Sequence, residues 1–272
     1  PWPGRRARRE SIRSMTDDIR SPRKGDLTMS SITGKLVLAL IREGDYAHAG
    51  EAEAIDRVFE RLPRLPSTRL LDVGCGIGGT ARYVQAQGWG AVTGVDIAPE
   101  NIDAASQRHP DIEFHCCDAA NLDHTIEGPF DALYSFNAFF LFDDQPGALR
   151  AMRRVARDGA TLALFDYVNR QIATDRTSGN ASTGLRRALE PERMITMLRD
   201  SGWTPGETMS YDADYLRWYE ALVARIDSKH DEIVAASSEA FFAFVRSRYA
   251  LTCEDLRNGE LGGATFYATA ST

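Results

Sequence analysis

The chain of 272 residues has no long apolar run, and this absence limits the class of protein. A membrane-spanning helix needs roughly 20 apolar residues, and no run in the sequence approaches that length. An apolar signal peptide is missing too, so the sequence predicts a soluble protein of the reducing cytoplasm with no membrane partner. A net charge of −7 also argues against nucleic acid as a partner.

The sequence also lacks the cysteine and histidine spacings that are typical of metal sites and disulfide frameworks. The four cysteines form no CxxC pair, so the sequence predicts neither a disulfide framework nor a zinc site. The histidines are scattered without ligand spacing, and we expect no bound metal. What is present, 43% hydrophobic and 26% charged residues, indicates a packed globule.

Basic residues concentrate near the beginning of the sequence. The run RRARRESIRS at 5–14 precedes Met15. An RNA-binding arm is one interpretation, but no aromatic residues are interleaved with the arginines. We therefore interpret residues 1–28 as a disordered leader or cloning remnant without function.

From residue 68 onward, short apolar runs alternate with helical stretches. Such alternation predicts a doubly wound α/β fold with a mostly parallel sheet. Right-handed crossovers then place the carboxyl ends of the strands, and the loops that follow them, at one edge. The predicted strands lie at 68–73, 91–96, 112–118, 130–136 and 160–168.

The last third of the sequence departs from this alternation. A helix at 191–202 and a strand after it are followed by a helical stretch and a final strand. We expect an antiparallel hairpin at the edge of the sheet and a mobile polar flap at 169–184. The predicted units are a helical lid at 29–66, an α/β core at 67–213, a helical cap at 214–260 and the last core strand at 261–272.

The stretch LLDVGCGIGGT at 70–80 is the first candidate for a binding site. Gly74, Gly76 and Gly79 satisfy G-x-G-x-x-G, which is compatible with a dinucleotide site or with a tight turn that binds nothing. Asp72 at the end of the strand suits a cationic ligand and disfavours pyrophosphate. Residues 72–80 contain no lysine or arginine to balance a phosphate.

Two further carboxylates end the next two strands. Asp96 can accept two hydrogen bonds from a ribose diol, and Asp118 can accept one from an adenine amino group. The predicted ligand therefore has an adenosine, no phosphate and a cationic end near Asp72. S-adenosylmethionine (SAM) fits this description.

Over about residues 66–170, four stretches of the sequence resemble the successive motifs of class I SAM-dependent methyltransferases. In chain order these stretches are LLDVGCGIGGTARYV, VTGVDIAPENI, CDAANL and FDALYSFNAFF. The resemblance implies a seven-stranded, mostly parallel sheet whose last strand is reversed. It also implies that Ile97 packs on adenine and that Gly74 and Gly76 face the methionine end. The cofactor-binding residues expected from it are Tyr46, Asp72, Gly74, Cys75, Gly76, Asp96, Ile97, Asp118, Ala119, Phe136 and Asn137.

The segment DYAHAGEAEAI at 45–55 is similar to small-molecule N-methyltransferases of the sarcosine/dimethylglycine and phosphoethanolamine types. The similarity implies that Tyr46 and His48 fold over the cofactor, although a helix start with a surface His48 is an alternative. Asp166 and Tyr167 end the fifth strand, where they are expected to line the acceptor pocket unless Asp166 caps the flap.

Tyr215, Trp218 and Tyr219 share one helical face. They either surround a cationic acceptor or pack the cap helix, and the second interpretation is the more frequent one. The residues predicted to bind the acceptor are His48, Phe140, Asp166, Tyr167, Tyr215, Trp218 and Tyr219.

The sequence thus predicts a SAM-dependent methyltransferase that acts on a small polar, amine-containing metabolite. We assign no catalytic residue, because methyl transfer depends mainly on orientation of the reactants. Two alternatives stay open: a SAM-consuming transferase or cyclase that releases methylthioadenosine, and a SAM-binding regulatory protein without turnover. The sequence does not indicate the oligomeric state.

Overall fold

A computed structural model describes Met29 and residues 31–62, 64–171 and 188–271 of the protein. These residues form one seven-stranded sheet with the order β3-β2-β1-β4-β5-β7-β6. Strands β1 to β5 run parallel to one another, and β7 runs antiparallel to both β5 and β6. The strands are β1 Arg69–Val73, β2 Ala91–Asp96, β3 Glu113–Cys116, β4 Phe130–Phe136, β5 Ala156–Asn169, β6 Trp203–Ser210 and β7 Leu261–Ala270.

Helices cover both faces of the sheet, and several begin at residues that cap their free amide groups. The Ser31 hydroxyl accepts a hydrogen bond from the amide of Gly34, and Ser238 does the same for Phe241. The helices of the described residues are α1 Ile32–Arg42, α2 Glu51–Phe59, α3 Gly79–Ala86, α4 Pro99–Arg108, α5 Gln145–Val155, α6 Pro191–Asp200, α7 Asp212–Ser228, α8 His230–Ala236 and α9 Glu239–Arg257.

The topology positions the candidate site at the carboxyl end of β1. This strand pairs in parallel with β2 on one side and β4 on the other, so the chain crosses over in opposite directions from it. Ligands of doubly wound folds bind at such a switch point. The turn that follows β1 is held there because the amides of Gly74 and Cys75 both donate to the carbonyl of Val95.

The N-terminal helices are joined to the C-terminal ones beside this edge. Arg42 of α1 forms an ion pair of 2.9 Å with Glu51 of α2, and Glu51 forms another of 2.8 Å with Arg225 of α7. The indole nitrogen of Trp218 donates to Glu53 at 2.8 Å. The predicted lid and cap are thus connected to each other across the edge of the sheet.

The seven-stranded, mostly parallel sheet is confirmed, and one strand boundary of the prediction is corrected. The fifth strand, predicted at 160–168, begins earlier, at Ala156, because Ala156 already pairs with Phe130 of β4. The helical cap consists of three helices, since the chain leaves helical geometry at Lys229 and again at Ser237.

Some of the sequence predictions concern residues beyond the described part. The predicted leader at 1–28 and residues 172–184 of the predicted flap lie outside it. The boundaries of the predicted units stay predictions. Among the described helices, none has the length and apolar character needed to cross a membrane.

Candidate active site

The glycine turn after β1 exposes its backbone at one position. Gly74, Gly76 and Gly78 all have positive φ angles, of 82°, 57° and 85°. A Cβ on Gly74 would lie 2.6 Å from that of Ala138, whereas the nearest atom to a Cβ on Gly76 would be the Nζ of Lys35 at 3.7 Å. The backbone of Gly76 is therefore the side of the turn that a ligand can approach.

Asp72 presents a buried carboxyl group just before this turn. One of its oxygens, Oδ2, makes no hydrogen bond of normal geometry with the described residues, while the Tyr134 hydroxyl and the Ala81 amide lie close enough to favour the ionised form and lower the pKa. Burial, reinforced by the nearby carboxylate of Asp96, raises the pKa of Asp72 to about 8. A ligand ammonium would satisfy the Oδ2 oxygen and restore the ionised form, so the site fits a cationic group.

Asp96 at the end of β2 connects the glycine turn to α4. Its Oδ2 accepts from the amide of Gly76 at 2.9 Å, and its Oδ1 accepts from the amide of Ala98 at 3.0 Å and from Asn101 at 3.1 Å. The carboxylate thus lies at the ligand edge of the sheet, next to Gly76. Its contact with a ribose stays a prediction.

The predicted adenine side of the site has an exposed apolar residue beside β2. Ile97 leaves 69% of its surface exposed, which is unusual for a large apolar side chain and suits packing on a flat ring. Asp118 is exposed and uses Oδ1 to accept from the amide of Ala120 at 2.9 Å, at the start of the 3₁₀ turn that includes Ala119. Cys75 is buried, and burial raises its pKa, so it is an unreactive thiol that packs the turn.

Lys35 is a residue of this edge that the sequence analysis missed. It lies on α1, and its Nζ approaches the open side of Gly76. Burial lowers its pKa, an effect that the carboxylate of Asp96 opposes. The signal in the sequence is a lone charge within the apolar stretch ITGKLVLAL, but nothing in that stretch indicates what the lysine faces.

The segment between α1 and α2, residues 43–50, lies against the glycine turn. The main-chain oxygen of Asp45 touches Gly79, where no side chain would fit. The Asp45 carboxylate forms an ion pair of 2.7 Å with Arg108 of α4. We call residues 43–50 the lid link, because they join the two lid helices across the site.

His48 of the lid link is buried, and the alternative of a surface histidine is wrong. Its ring nitrogens lie 3.0 Å from the carbonyl of Ala49 and 3.1 Å from the hydroxyl of Thr80. Burial lowers the pKa of His48 to about 3, so the imidazole is neutral. Tyr46 is half-buried, with its ring 5.6 Å from that of His48 and 6.4 Å from that of Tyr83.

Asn137 connects the lid link, the core and the cap. Its φ is 47°, and its Oδ1 accepts from the amide of Ala49 at 3.0 Å. Its Nδ2 donates to the hydroxyl of Tyr215 at 3.0 Å. Phe136, the preceding residue, is buried with its ring 4.8 Å from that of His48. Asn137, directly after β4, therefore joins the lid link and α7 to the core.

Asp166 near the end of β5 is a second buried carboxyl group. It accepts from the amides of Phe140 at 2.9 Å and Tyr167 at 2.8 Å, and Asn137 lies 3.5 Å away. Burial raises the pKa of Asp166 to about 7 despite these hydrogen bonds. The described partners of its carboxylate lie in the loop after β4 and in β5 itself.

The aromatic face of α7 is buried and its rings contact arginines of this chain. The guanidinium of Arg42 lies 5.9 Å from the ring of Tyr219, whose hydroxyl is hydrogen-bonded to that of Tyr167. Arg57 and Arg217 lie 5.9 and 5.6 Å from the ring of Trp218. These contacts favour the packing interpretation of the face, while contact of its residues with an acceptor stays a prediction.

Comparisons with known proteins agree with this geometry. Residues 71–164 match the family described as a methyltransferase domain. Methyltransferase GfsG of Streptomyces halstedii is 28% identical over 154 residues, which cover 53% of this chain and 55% of that protein. Ajmaline N-methyltransferase of Rauvolfia serpentina is 31% identical over 125 residues, 44% of this chain and 41% of that protein. The chain spans about half the length of these curated relatives.

A solved structure of phosphoethanolamine N-methyltransferase 2 of Haemonchus contortus has the same fold. It was determined with phosphomonomethylethanolamine and S-adenosylhomocysteine, and it superposes with a TM-score of 0.78 at 17% identity. The similarity covers 90% of this chain and 58% of that one. The domain built around residues 71–164 is a class I SAM-dependent methyltransferase domain, and SAM is the cofactor of this class.

Proposed function

We propose that this protein transfers a methyl group from SAM to a small polar acceptor that contains an amine. The observation that carries this proposal is the buried Asp72 carboxyl group, with an oxygen that makes no hydrogen bond of normal geometry with the described residues, at the open glycine turn of a methyltransferase domain. A ligand with an ammonium group and no phosphate matches this charge. A nicotinamide dinucleotide or ATP would instead place phosphate beside two carboxylates, Asp72 and Asp96.

The residues of this chain would hold the cofactor and exclude water from it. Asp72 and the backbone of Gly76 face its methionine end, and Asp96 faces the ribose. When bound there, SAM supplies an electrophilic methyl group on a sulfonium. The lid link and α7 cover this edge, and the main contribution of the protein is to align the acceptor with that methyl group.

Asp166 supports an amine as the acceptor. A carboxyl group with a pKa near 7 can bind an ammonium or accept a proton as the amine becomes nucleophilic. Asn137 and Tyr167 lie beside it, at the edge where the fourth and fifth strands end. The names of related proteins, among them ajmaline N-methyltransferase, favour nitrogen as the methylated atom.

The proposal includes a location and partners. We place the protein in the cytoplasm, where its four free cysteines would stay reduced, with a small molecule and no nucleic acid or membrane as partner.

SAM and S-adenosylhomocysteine are expected to raise the melting temperature of the protein, and NAD and ATP are not. A ligand at 100 times its dissociation constant adds about 2.7 kcal/mol to the free energy of unfolding. Differential scanning fluorimetry with each ligand at the same concentration measures the effect. Equal stabilisation by NAD would contradict the cofactor assignment.

Incubation with methyl-labelled SAM and a fractionated metabolite extract tests the reaction. Label in a small amine together with S-adenosylhomocysteine as the second product supports the proposed function. Methylthioadenosine as the product would instead indicate a transferase or cyclase. Tight SAM binding without any product would indicate a regulatory protein.

Tyr46→Ala is expected to weaken binding of S-adenosylhomocysteine roughly tenfold without unfolding the protein, since one half-buried aromatic contact is lost. Tyr46→Phe keeps the ring and is the matched control, with unchanged affinity. The lid link is also expected to become more resistant to limited proteolysis when S-adenosylhomocysteine binds. Wild-type affinity in Tyr46→Ala, together with ligand-independent cleavage, would contradict this closure.

A further inference from the structure

The ammonium group of Lys35, on the lid helix α1, lies beside the glycine turn, which contains no basic residue. Residues 72–80 contain no lysine or arginine, yet the Nζ of Lys35 lies 3.7 Å from the position of a Cβ on Gly76. This is the side of the turn where the backbone is open. The positive charge at the site therefore comes from a residue distant in the sequence and close in the fold.

Lys35 has no counter-ion among the described residues. The other lysine of that part of the chain, Lys229, forms an ion pair with Glu43 at 3.7 Å, whereas Lys35 forms no salt bridge there. Asp96 is the acidic group that acts on it most strongly, and that carboxylate already accepts from the amide of Gly76. A partly buried ammonium is costly when no anion of the described residues lies close to it, and a ligand anion at Gly76 would offset this cost.

We propose that Lys35 binds the carboxylate of the amino-acid tail of the cofactor, while Asp72 binds the ammonium of the same tail. The inference rests on the proposed function, in which the site takes SAM. An α-amino acid carries one negative and one positive charge on neighbouring groups. The turn offers one group for each of these charges, since the Asp72 carboxyl just before it becomes ionised beside an ammonium and the Lys35 ammonium lies at Gly76 beside the place for a carboxylate.

The assignment makes the lid sensitive to the tail of the ligand. Lys35 is part of α1, which is joined through Arg42 and Glu51 to α2 and α7. A ligand that carries the carboxylate engages the lid directly, and an adenosine derivative without the tail does not. Lys35 is thus a binding residue that distinguishes ligands by their amino-acid tail.

The test is a comparison of two ligands by titration calorimetry, S-adenosylhomocysteine with the tail and 5′-methylthioadenosine without it. Lys35→Met is expected to weaken S-adenosylhomocysteine binding roughly 10- to 100-fold, the effect of one charge-assisted hydrogen bond. Its affinity for methylthioadenosine should stay within about twofold of wild type. Lys35→Arg should restore part of the lost affinity, since it keeps the charge.

Arg157→Met is the control, because it removes an exposed cation that pairs with Asp131 at the amino end of β5, away from the glycine turn. Circular dichroism confirms that each variant is folded, and Lys35→Gln carries the same comparison if Lys35→Met does not fold. Wild-type affinity for S-adenosylhomocysteine, or an equal loss for both ligands, would overturn the role of Lys35. A wild-type protein that binds neither ligand would overturn the proposed function instead.

Discussion

Replacing Asp96 with alanine is expected to weaken binding of S-adenosylhomocysteine about a hundredfold or more. Two hydrogen bonds from a ribose diol to a carboxylate contribute about 1.5–3 kcal/mol each, and the variant loses both. The protein also loses the acceptor of Gly76, Ala98 and Asn101, so a decrease of about 1–2 kcal/mol in the free energy of unfolding accompanies the effect. Calorimetry on the folded variant measures the affinity.

A ligand pair separates ribose recognition from a loosened turn. Wild type should bind adenosine more tightly than 2′-deoxyadenosine, and Asp96→Ala should bind the two alike. Asp103→Ala on the exposed side of α4 is the control, with wild-type behaviour toward every ligand. If Asp96→Ala still prefers adenosine to the same extent as wild type, Asp96 does not hold the ribose.

Replacing Asp72 with asparagine is expected to make the ligand-free protein more stable at pH 8 and to weaken its binding of SAM. In the unfolded chain the pKa of the Asp72 carboxyl is 3.8, whereas in the folded protein burial and the nearby Asp96 raise this pKa to about 8. The folded state therefore binds more protons between these values, and stability decreases as the pH rises through this window. Asparagine removes that contribution, which amounts to at most about 5 kcal/mol.

Urea unfolding of both proteins at pH 4, 6 and 8 measures this prediction. The two stabilities should be similar at pH 4 and diverge as the pH rises, with the variant above wild type. Asp103→Asn makes the same chemical change at an exposed position and should leave the pH dependence unchanged. Parallel curves for wild type and Asp72→Asn would mean that Asp72 is ionised in the folded protein.

Ligand binding separates the two roles of Asp72. S-adenosylhomocysteine carries the ammonium that the carboxylate would bind, so Asp72→Asn should bind it about 10- to 100-fold more weakly. Methylthioadenosine lacks the ammonium, and its affinity should change little. A variant that is stabilised at pH 8 and also retains wild-type affinity for S-adenosylhomocysteine would show that the carboxylate is buried for a reason other than the ligand.

The glycine turn and its carboxylates could be read from the sequence because their interactions are local. A strand, a turn with positive φ and a following helix are encoded within LLDVGCGIGGT, and Asp96 ends its strand close to the residues that it caps. The mostly parallel sheet follows from the same kind of local alternation. The reversal of β7 was expected from the resemblance of four successive motifs to a family, whereas the order of the strands came from the structure alone.

The residues that close the site could not be read in this way, because their contacts join distant parts of the chain. Asn137 accepts from Ala49, 88 residues earlier, and donates to Tyr215, 78 residues later. His48 looked compatible with a surface position, yet it is buried against Thr80 and Phe136. Each of these side chains has an ordinary local sequence, and its environment arises only when the lid, core and cap pack together.

The sequence by itself determined the class of fold, the edge of the sheet at which a ligand is expected and the positions of the carboxylates proposed to bind the adenosyl group. Periodicity, turn residues and strand ends are properties of neighbouring residues, and they persist in any correctly paired sheet. Only the tertiary structure decided that α1 sends Lys35 to Gly76 and that arginines contact the aromatic face of α7. The charge of a site depends on which side chains from distant parts of the sequence lie next to it. The packing of the lid, core and cap decides which side chains these are.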